Sequence, residues 1–288
     1  MIRNSPAQRA FAIFNYSFLT LVSLSMLIPF MHIFAGSFSS GKAITQGLVS
    51  LWPVEWTFGN YQAVLGDRAI WRALGFTVMI TVLGTTISLF LTSLGAYGLS
   101  KRDLKGRSLV IVLILFTMIF QAPLIPTYLL VKSLGMLNTI WALVIPNAIA
   151  AFNLIIMISF FQNIPDELLD SAKMDGCGEY GTLWRIVLPL SMPSISTIGL
   201  FYAVSLWNGY FWALMFIRDP KKYPLMVLLR RLLVESDDKT LIRANMATMS
   251  VEGIKMASII VATLPILIVY PMIQKHFVKG AMLGSIKG

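Results

Sequence analysis

Residues 164–189 read Ile164-Pro165-Asp166-Glu167-Leu168-Leu169-Asp170-Ser171-Ala172-Lys173-Met174-Asp175-Gly176-Cys177-Gly178-Glu179-Tyr180-Gly181-Thr182-Leu183-Trp184-Arg185-Ile186-Val187-Leu188-Pro189. The middle of this stretch is polar and mostly acidic. On either side, the runs 133–165 and 186–217 contain no Asp, Glu, Lys or Arg. Crossing the hydrocarbon core of a bilayer takes roughly 20 apolar residues as a helix. The stretch is therefore a loop returned to water between two membrane crossings.

Reading outward, the same kind of uncharged run recurs at 11–34, 73–99, 108–131 and 256–274. The runs are Leu, Ile, Val, Phe, Met and Ala without strict alternation. A helix satisfies its own backbone groups in lipid, whereas a barrel needs alternating strands. The expectation is an all-α integral membrane protein with six transmembrane helices. They fall at about 11–34, 74–99, 108–131, 139–161, 190–217 and 256–275, within a single transmembrane domain covering 1–288. The loop 166–189 lies outside the bilayer. Of the 288 residues, 57% are hydrophobic and 12% charged, against roughly 25% charged in soluble domains. The first run is too long for a signal h-region and no small-residue cleavage site follows it, so it is read as a retained helix. Cys177 is the only cysteine, and His32 and His276 lie far apart. No disulfide, metal site or catalytic constellation is expected.

Lys and Arg in short loops set orientation. Arg3 and Arg9 precede the first run, Lys101, Arg102, Lys105 and Arg107 follow the second, and Lys275, Lys279 and Lys287 end the chain. With six spans these segments share one side, which is then cytoplasmic, with both termini. The loop 166–189 falls on that side. The net charge of +10 is in part this topology signal and gives no reason to invoke nucleic acid. Within the loop, Pro165 followed by Asp166 and Glu167 marks a helix start, because acidic residues suit the positive end of the helix dipole. That helix runs to about Met174. Gly176 and Gly178 break it, a second short helix carries Glu179 to Ile186, and Pro189 starts the return into the membrane.

The spacing in this loop resembles the docking loop of permease subunits of ATP-binding-cassette importers. The family pattern is E-A-A, three residues, G, nine residues, I, one residue, L-P. Here Ala172, Asp175, Gly176, Ile186, Leu188 and Pro189 match, while Asp170 stands for the family Glu and Ser171 for the first Ala. Ile164-Pro165-Asp166-Glu167-Leu168 is similar to the family's lead-in. Gly95-Ala96-Tyr97-Gly98 through Arg107 resembles the turn after the second helix. Pro126 through Thr139, Trp207-Asn208-Gly209-Tyr210-Phe211-Trp212 and the tail from Gln274 resemble further family segments, with Gly209 where an acidic residue is common. Together these cover most of 60–288. They resemble the carbohydrate branch, the smaller permease of maltose-type importers, and within it the subgroup serving fragments of plant or algal polysaccharides.

The resemblance implies a coupling helix that docks on a partner ATPase through Glu167, Asp170, Ser171, Ala172, Asp175, Gly176, Ile186, Leu188 and Pro189. It implies a second homologous permease, two ATPase subunits and an extracytoplasmic solute-binding protein. The chain itself binds no cofactor, and ATP and Mg²⁺ sit on the ATPase. The location implied is the cell membrane of a prokaryote, and the cargo is an oligosaccharide.

Gln121, Asn147, Asn153, Tyr202, Trp207, Asn208 and Tyr210 are polar or amphipathic residues inside the apolar runs. They are candidates for lining a substrate path. Interhelical hydrogen bonding would place the same residue types there. The cluster Trp207-Asn208-Gly209-Tyr210 joins flat aromatic faces, which stack on sugar rings, to an amide that binds hydroxyls. Prolines 123, 126 and 146 interrupt helical runs and either shape or hinge them. Segment 218–255 carries Arg218, Lys221, Lys222, Arg230, Arg231, Lys239, Arg243 and Lys255 against five acidic residues. This basic excess is the sequence feature that points to an anionic sugar such as a uronate oligomer.

Gly36-Ser-Phe-Ser-Ser-Gly41-Lys42-Ala43 nearly spells a phosphate-binding loop. It lacks the Ser or Thr that holds Mg²⁺, has no preceding strand and falls on the external side. The alternative function is an ATP-independent secondary transporter or channel. Ion coupling usually uses intramembrane carboxylates, histidines or basic residues, and the runs contain no Asp, Glu, Lys or Arg. A membrane enzyme would need a positioned acid, base, nucleophile or metal.

Overall fold

The computed structural model describes residues 6–120, 122–234 and 250–285. Every regular element among them is helical. In chain order they are α1 (Pro6–Ser37), α2 (Gly41–Thr45), α3 (Gly59–Gly66), α4 (Arg68–Ser100), α5 (Arg107–Ile119), α6 (Leu124–Ser133), α7 (Trp141–Val144), α8 (Ala151–Gln162), α9 (Asp166–Met174), α10 (Glu179–Thr182), α11 (Leu188–Leu190), α12 (Met192–Trp207), α13 (Phe211–Phe216), α14 (Leu225–Val234) and α15 (Val251–Ser285). The expected all-helical membrane architecture is present.

Three helices are each long and apolar enough to cross a membrane: α1, α4 and the first part of α15. All three run past the expected bounds. α4 begins at Arg68, because the helix carries Arg72 and Arg68 beyond the apolar run; its 33 residues are about 50 Å long. The other three crossings are not single rods. The run 108–131 holds two helices, α5 ending at Ile119 and α6 starting at Leu124. Pro123, which lacks a backbone donor, stands at the N-cap of α6. The run 139–161 bends by 52° between Trp141–Asn147 and Ala151–Gln162, with Pro146 in the tight turn Ile145–Asn147. The run 190–217 is α12, a break at 208–210, and α13. At Gly209 an added Cβ would lie 3.1 Å from the Leu206 carbonyl oxygen, so the chain turns there where only glycine avoids contact.

The chain forms two compact units, Met1–Ile70 with Leu229–Leu264, and Trp71–Leu228 with Pro265–Gly288. In the first, the phosphate-loop lookalike is a helix end followed by a capped turn. Ser40 Oγ accepts the Ala43 N–H at 3.1 Å and donates to the Glu55 carboxylate. Fully buried Asn60 donates to the carbonyls of Ser37 and Ser39, both at 3.1 Å. Phe38 gathers the rings of Phe34, Trp56, Phe58 and Tyr61 around it. Burial raises the pKa of the Tyr61 phenol above its ordinary value, offset in part by its hydrogen bond to Ser37.

The second unit has two apolar centres. One joins Ile80, Val131, Leu143, Val144, Phe216 and Val227. The other joins Ala96, Leu99, Leu154, Met157, Phe161, Leu183, Val187, Ile198 and Tyr202. Polar staples close the connections. Asn138, at φ +61°, accepts the N–H groups of Arg218 and Asp219 on Oδ1 at 3.2 and 3.1 Å. Thr77 Oγ1 accepts the Leu225 N–H at 2.8 Å.

Candidate functional site

The polar loop builds itself in two halves. α9 starts after Pro165, with Asp166 and Glu167 in its first turn, where unpaired N–H groups and the dipole favour carboxylates. It ends in a left-handed closure. The Cys177 N–H donates to the Ala172 carbonyl at 2.9 Å and the Gly176 N–H to that of Lys173 at 3.0 Å. This pairing satisfies two of the last carbonyls and requires positive φ at Gly176, observed at +78°.

The second half differs from expectation. It does not stop at Ile186 with a climb from Pro189. α10 runs on through a π-helical segment, Leu183–Val187, into α11, and the chain turns by 84° before α12. The climb therefore begins at Met192. In a straight α-helix the ring of Pro189 would meet the carbonyl of Arg185. The wider turn, in which the Leu188 N–H reaches the Leu183 carbonyl, opens room for it.

The loop has an inner and an outer face. Ala172, Leu183 and Val187 are buried, and Leu169 and Leu188 pack on the centre around Leu154 and Phe161. Glu167, Asp170, Ser171, Asp175, Gly176 and Pro189 are exposed, and Ile186 is half-buried. The nine expected coupling residues are thus split. Ala172 and Leu188 hold the loop to the protein, while the acidic residues, Ser171 and Gly176 face outward. The outer face also carries apolar groups not singled out in the sequence: Met174 is 88% exposed and Tyr180 77%. Lys173 and Asp170 are 3.6 Å apart and both largely exposed, a pair of little energetic weight.

A second feature ties α10 to α4. The Tyr97 hydroxyl donates to Glu179 Oε2 at 2.7 Å, the Lys101 ammonium pairs with the same oxygen, and its Nζ lies 4.8 Å from the centre of the Tyr97 ring. The Lys101 ammonium, and after it the Tyr97 hydroxyl, hold the Glu179 carboxyl below the usual glutamate range. Arg107 Nε donates to the Leu99 carbonyl at 2.7 Å and Gln162 Nε2 to that of Ser100 at 3.3 Å. Lys101 and Arg107, read as topology charges, are thus also structural. The partner of Lys101, Glu179, lies too far away in sequence for any spacing rule to find it.

The candidate path residues separate. Asn147 and Asn153 come together with Tyr202 in one cavity of about 230 Å³ inside the second unit, together with Ser205, Gly209 and Trp212. The Tyr202 hydroxyl contacts Thr92 Oγ1 at 2.7 Å and accepts the Ala150 N–H at 3.0 Å, pinning the bend before α8. Trp207 does not line the cavity; it closes α12, buried, with no acceptor for its indole N–H among the described residues. Asn208 is exposed at the C-cap of α12, and Tyr210 is half-buried against the apolar centre around Phe216. Both point elsewhere because the helix breaks between Trp207 and Phe211. Gln121 lies outside the described residues. Several basic residues of the segment after α13 serve the chain itself: Arg218 donates to Tyr128 at 2.7 Å, Lys222 to the Asn138 carbonyl at 3.0 Å and Lys255 to that of Leu233 at 3.1 Å.

Comparison with known proteins agrees with this geometry. A permease of Bacillus subtilis named for polygalacturonan and rhamnogalacturonan transport, YtcP, is 47% identical over 97% of this chain and 99% of its own. The arabinooligosaccharide permease AraQ of the same organism is 28% identical over the full length of both. A chain from the crystal structure of a bacterial ABC transporter involved in importing the acidic polysaccharide alginate superposes with a TM-score of 0.91 at 38% identity, covering 96% of this chain and 100% of that one. The family model described as the inner membrane component of binding-protein-dependent transport systems matches residues 1–282. The chain belongs to that family of inner-membrane permeases.

Proposed function

We propose that this chain is one of two related permease subunits of an ATP-driven importer in a prokaryotic cell membrane, and that its cargo is an oligosaccharide released from a polysaccharide, acidic units included. The observation that carries the reading is the outward face of the loop 166–190. A rigid bent pair of helices, anchored by Ala172, Leu183 and Val187, presents Met174 and Tyr180 among carboxylates. An exposed apolar tip rimmed by charge has the character of a protein-docking surface. Glu167, Asp170, Ser171, Asp175 and Gly176 contact the ATPase, and Ile186, Leu188 and Pro189 fix the second half of the loop. Both termini are cytoplasmic with that loop. A solute-binding protein delivers the sugar on the opposite side, and ATP with Mg²⁺ is held by the ATPase pair.

The relatives named for polygalacturonan and rhamnogalacturonan, for arabinooligosaccharides and for alginate support the sugar class. When the ATPases close on ATP, the docked loop moves with them and redirects the path between the two permeases. The test is affinity purification in mild detergent, with partners identified and counted by mass spectrometry. One second permease and two ATPase copies are expected. Recovery of the chain alone, or only with itself, across several detergents overturns the reading in favour of an ATP-independent transporter.

A further inference from the structure

The cavity of the second unit sits at the start of α8, a helix of 12 residues that begins inside a broken crossing. The first N–H groups of any helix lack an intrahelical partner. Here no side chain caps them, and among the described residues Ala151, Phe152 and Asn153 donate to no carbonyl. In a membrane interior such groups are costly unless something accepts from them. Ile149, Ala150 and Asn153 of this helix start line the cavity.

A second observation points the same way. Asn153 is 5% exposed, it lines the cavity, and its amide makes no hydrogen bond among the described residues. Asn147 brings another amide. Opposite chemistry is absent, since no Asp, Glu, Lys or Arg of the described residues lines the space. The wall also includes Trp212, whose ring stacks on Phe216 with centroids 5.4 Å apart and planes 18° apart. That stacking makes it a fixed aromatic surface.

From these groups we infer that the cavity is a subsite for one acidic pyranose, its carboxylate at the start of α8 between the amides of Asn147 and Asn153 and its ring face against Trp212. The helix N-terminus carries a partial positive charge, and its free N–H groups are acceptor-seeking. Amide NH₂ groups supply further donors without the desolvation cost of a cation. The volume suits a single ring, so the subsite reads one unit of a longer chain at a time. The inference rests on the importer reading and adds to it the location and charge preference of sugar recognition.

The experiment uses the complete importer in proteoliposomes with its binding protein. It measures uptake of a galacturonate trimer and of the neutral galactose trimer, and binding-protein-stimulated ATP hydrolysis in the same vesicles. The substitution Asn153→Asp keeps size and shape but sets a like charge against the carboxylate. It should lower the ratio of galacturonate to neutral uptake by about tenfold or more. Asn147→Asp, at an exposed position, should cause the same selective loss, and it decides the matter if the Asn153 variant is not recovered in the membrane. Wild-type uptake of the acidic trimer that neither variant reduces, or a loss shared equally by both sugars, overturns the subsite alone. Wild-type uptake of the neutral trimer only also overturns it. Vesicles of the wild type that take up neither sugar overturn the importer reading as well.

Discussion

Gly176 is demanded by the backbone, and the proposed docking makes a second demand on the same residue. Its φ of +78° lies in the left-handed region, where a side chain costs roughly 1–2 kcal/mol. Yet an added Cβ would meet no atom within 4 Å. Asp is among the residues that tolerate this conformation best. Gly176→Asp should therefore leave the chain inserted in the membrane with its melting temperature in detergent nearly unchanged, while abolishing sugar uptake and co-purification of the ATPase. A fully active variant would show that the loop does not dock through this point. The residue was legible from the sequence because a glycine between an acidic helix and a second helix start has a backbone meaning of its own. Trp207 and Asn208 show the opposite. Adjacency places their side chains with Tyr210, but adjacency fails across a helix break, and it is Trp212 beyond the break, with Tyr202 before it, that reaches the cavity.

At the scale of elements, the six apolar runs gave the crossings because hydrocarbon thickness sets a length that composition must meet. Bends are another matter. Pro123 and Pro146 mark where a crossing is interrupted, but the 52° angle before α8 depends on Tyr202 holding the Ala150 N–H from a distant helix. The link between α4 and α10 was equally hidden, since Glu179 stands 82 residues from Tyr97 and 78 from Lys101. We expect this link to make α10 follow the end of α4 during transport. Glu179→Gln should lower sugar moved per ATP hydrolysed, and the exchanged pair Lys101→Glu with Glu179→Lys should restore part of the ratio. Uncoupled hydrolysis unchanged in both would remove the link from the mechanism. The sign of the pH effect follows from the depressed Glu179 pKa. The stabilising contribution is complete above the ordinary glutamate range and disappears as pH falls through and below it. Hydrogen-exchange protection of α10 should decline over that acidic interval in the wild type. In Glu179→Gln it should be low and flat.

For the whole molecule, the decisive quantity is which side each segment faces, and the chain supplies its own probe. Cys177 is the only cysteine, it is half-buried and free, and it sits in the turn that closes α9. A membrane-impermeant maleimide should label it in inside-out vesicles and not in right-side-out ones. Addition of the ATPase should slow the labelling by at least about tenfold, as expected when a docked surface excludes solvent. Labelling from the outer side would reverse the orientation deduced from Lys101, Arg102, Lys105 and Arg107. Overall class is legible in sequence because the bilayer imposes it on composition. The cavity is not, because Asn147, Asn153 and Trp212 come together only after separate parts of the chain have met.

The π segment Leu183–Val187 carries a consequence for variation in this loop. A π turn holds an additional residue within an otherwise α-helical path, so the number of residues between Gly176 and Pro189 acts as a phase setting, like the thread of a screw. Removing one residue while the π turn persists would swing α11 by about 100° about its axis. Pro189 would then face a different quarter of its surroundings although no side chain beyond it had changed. Substitutions in this stretch are therefore a matter of degree, whereas a change of length by one is a change of aim.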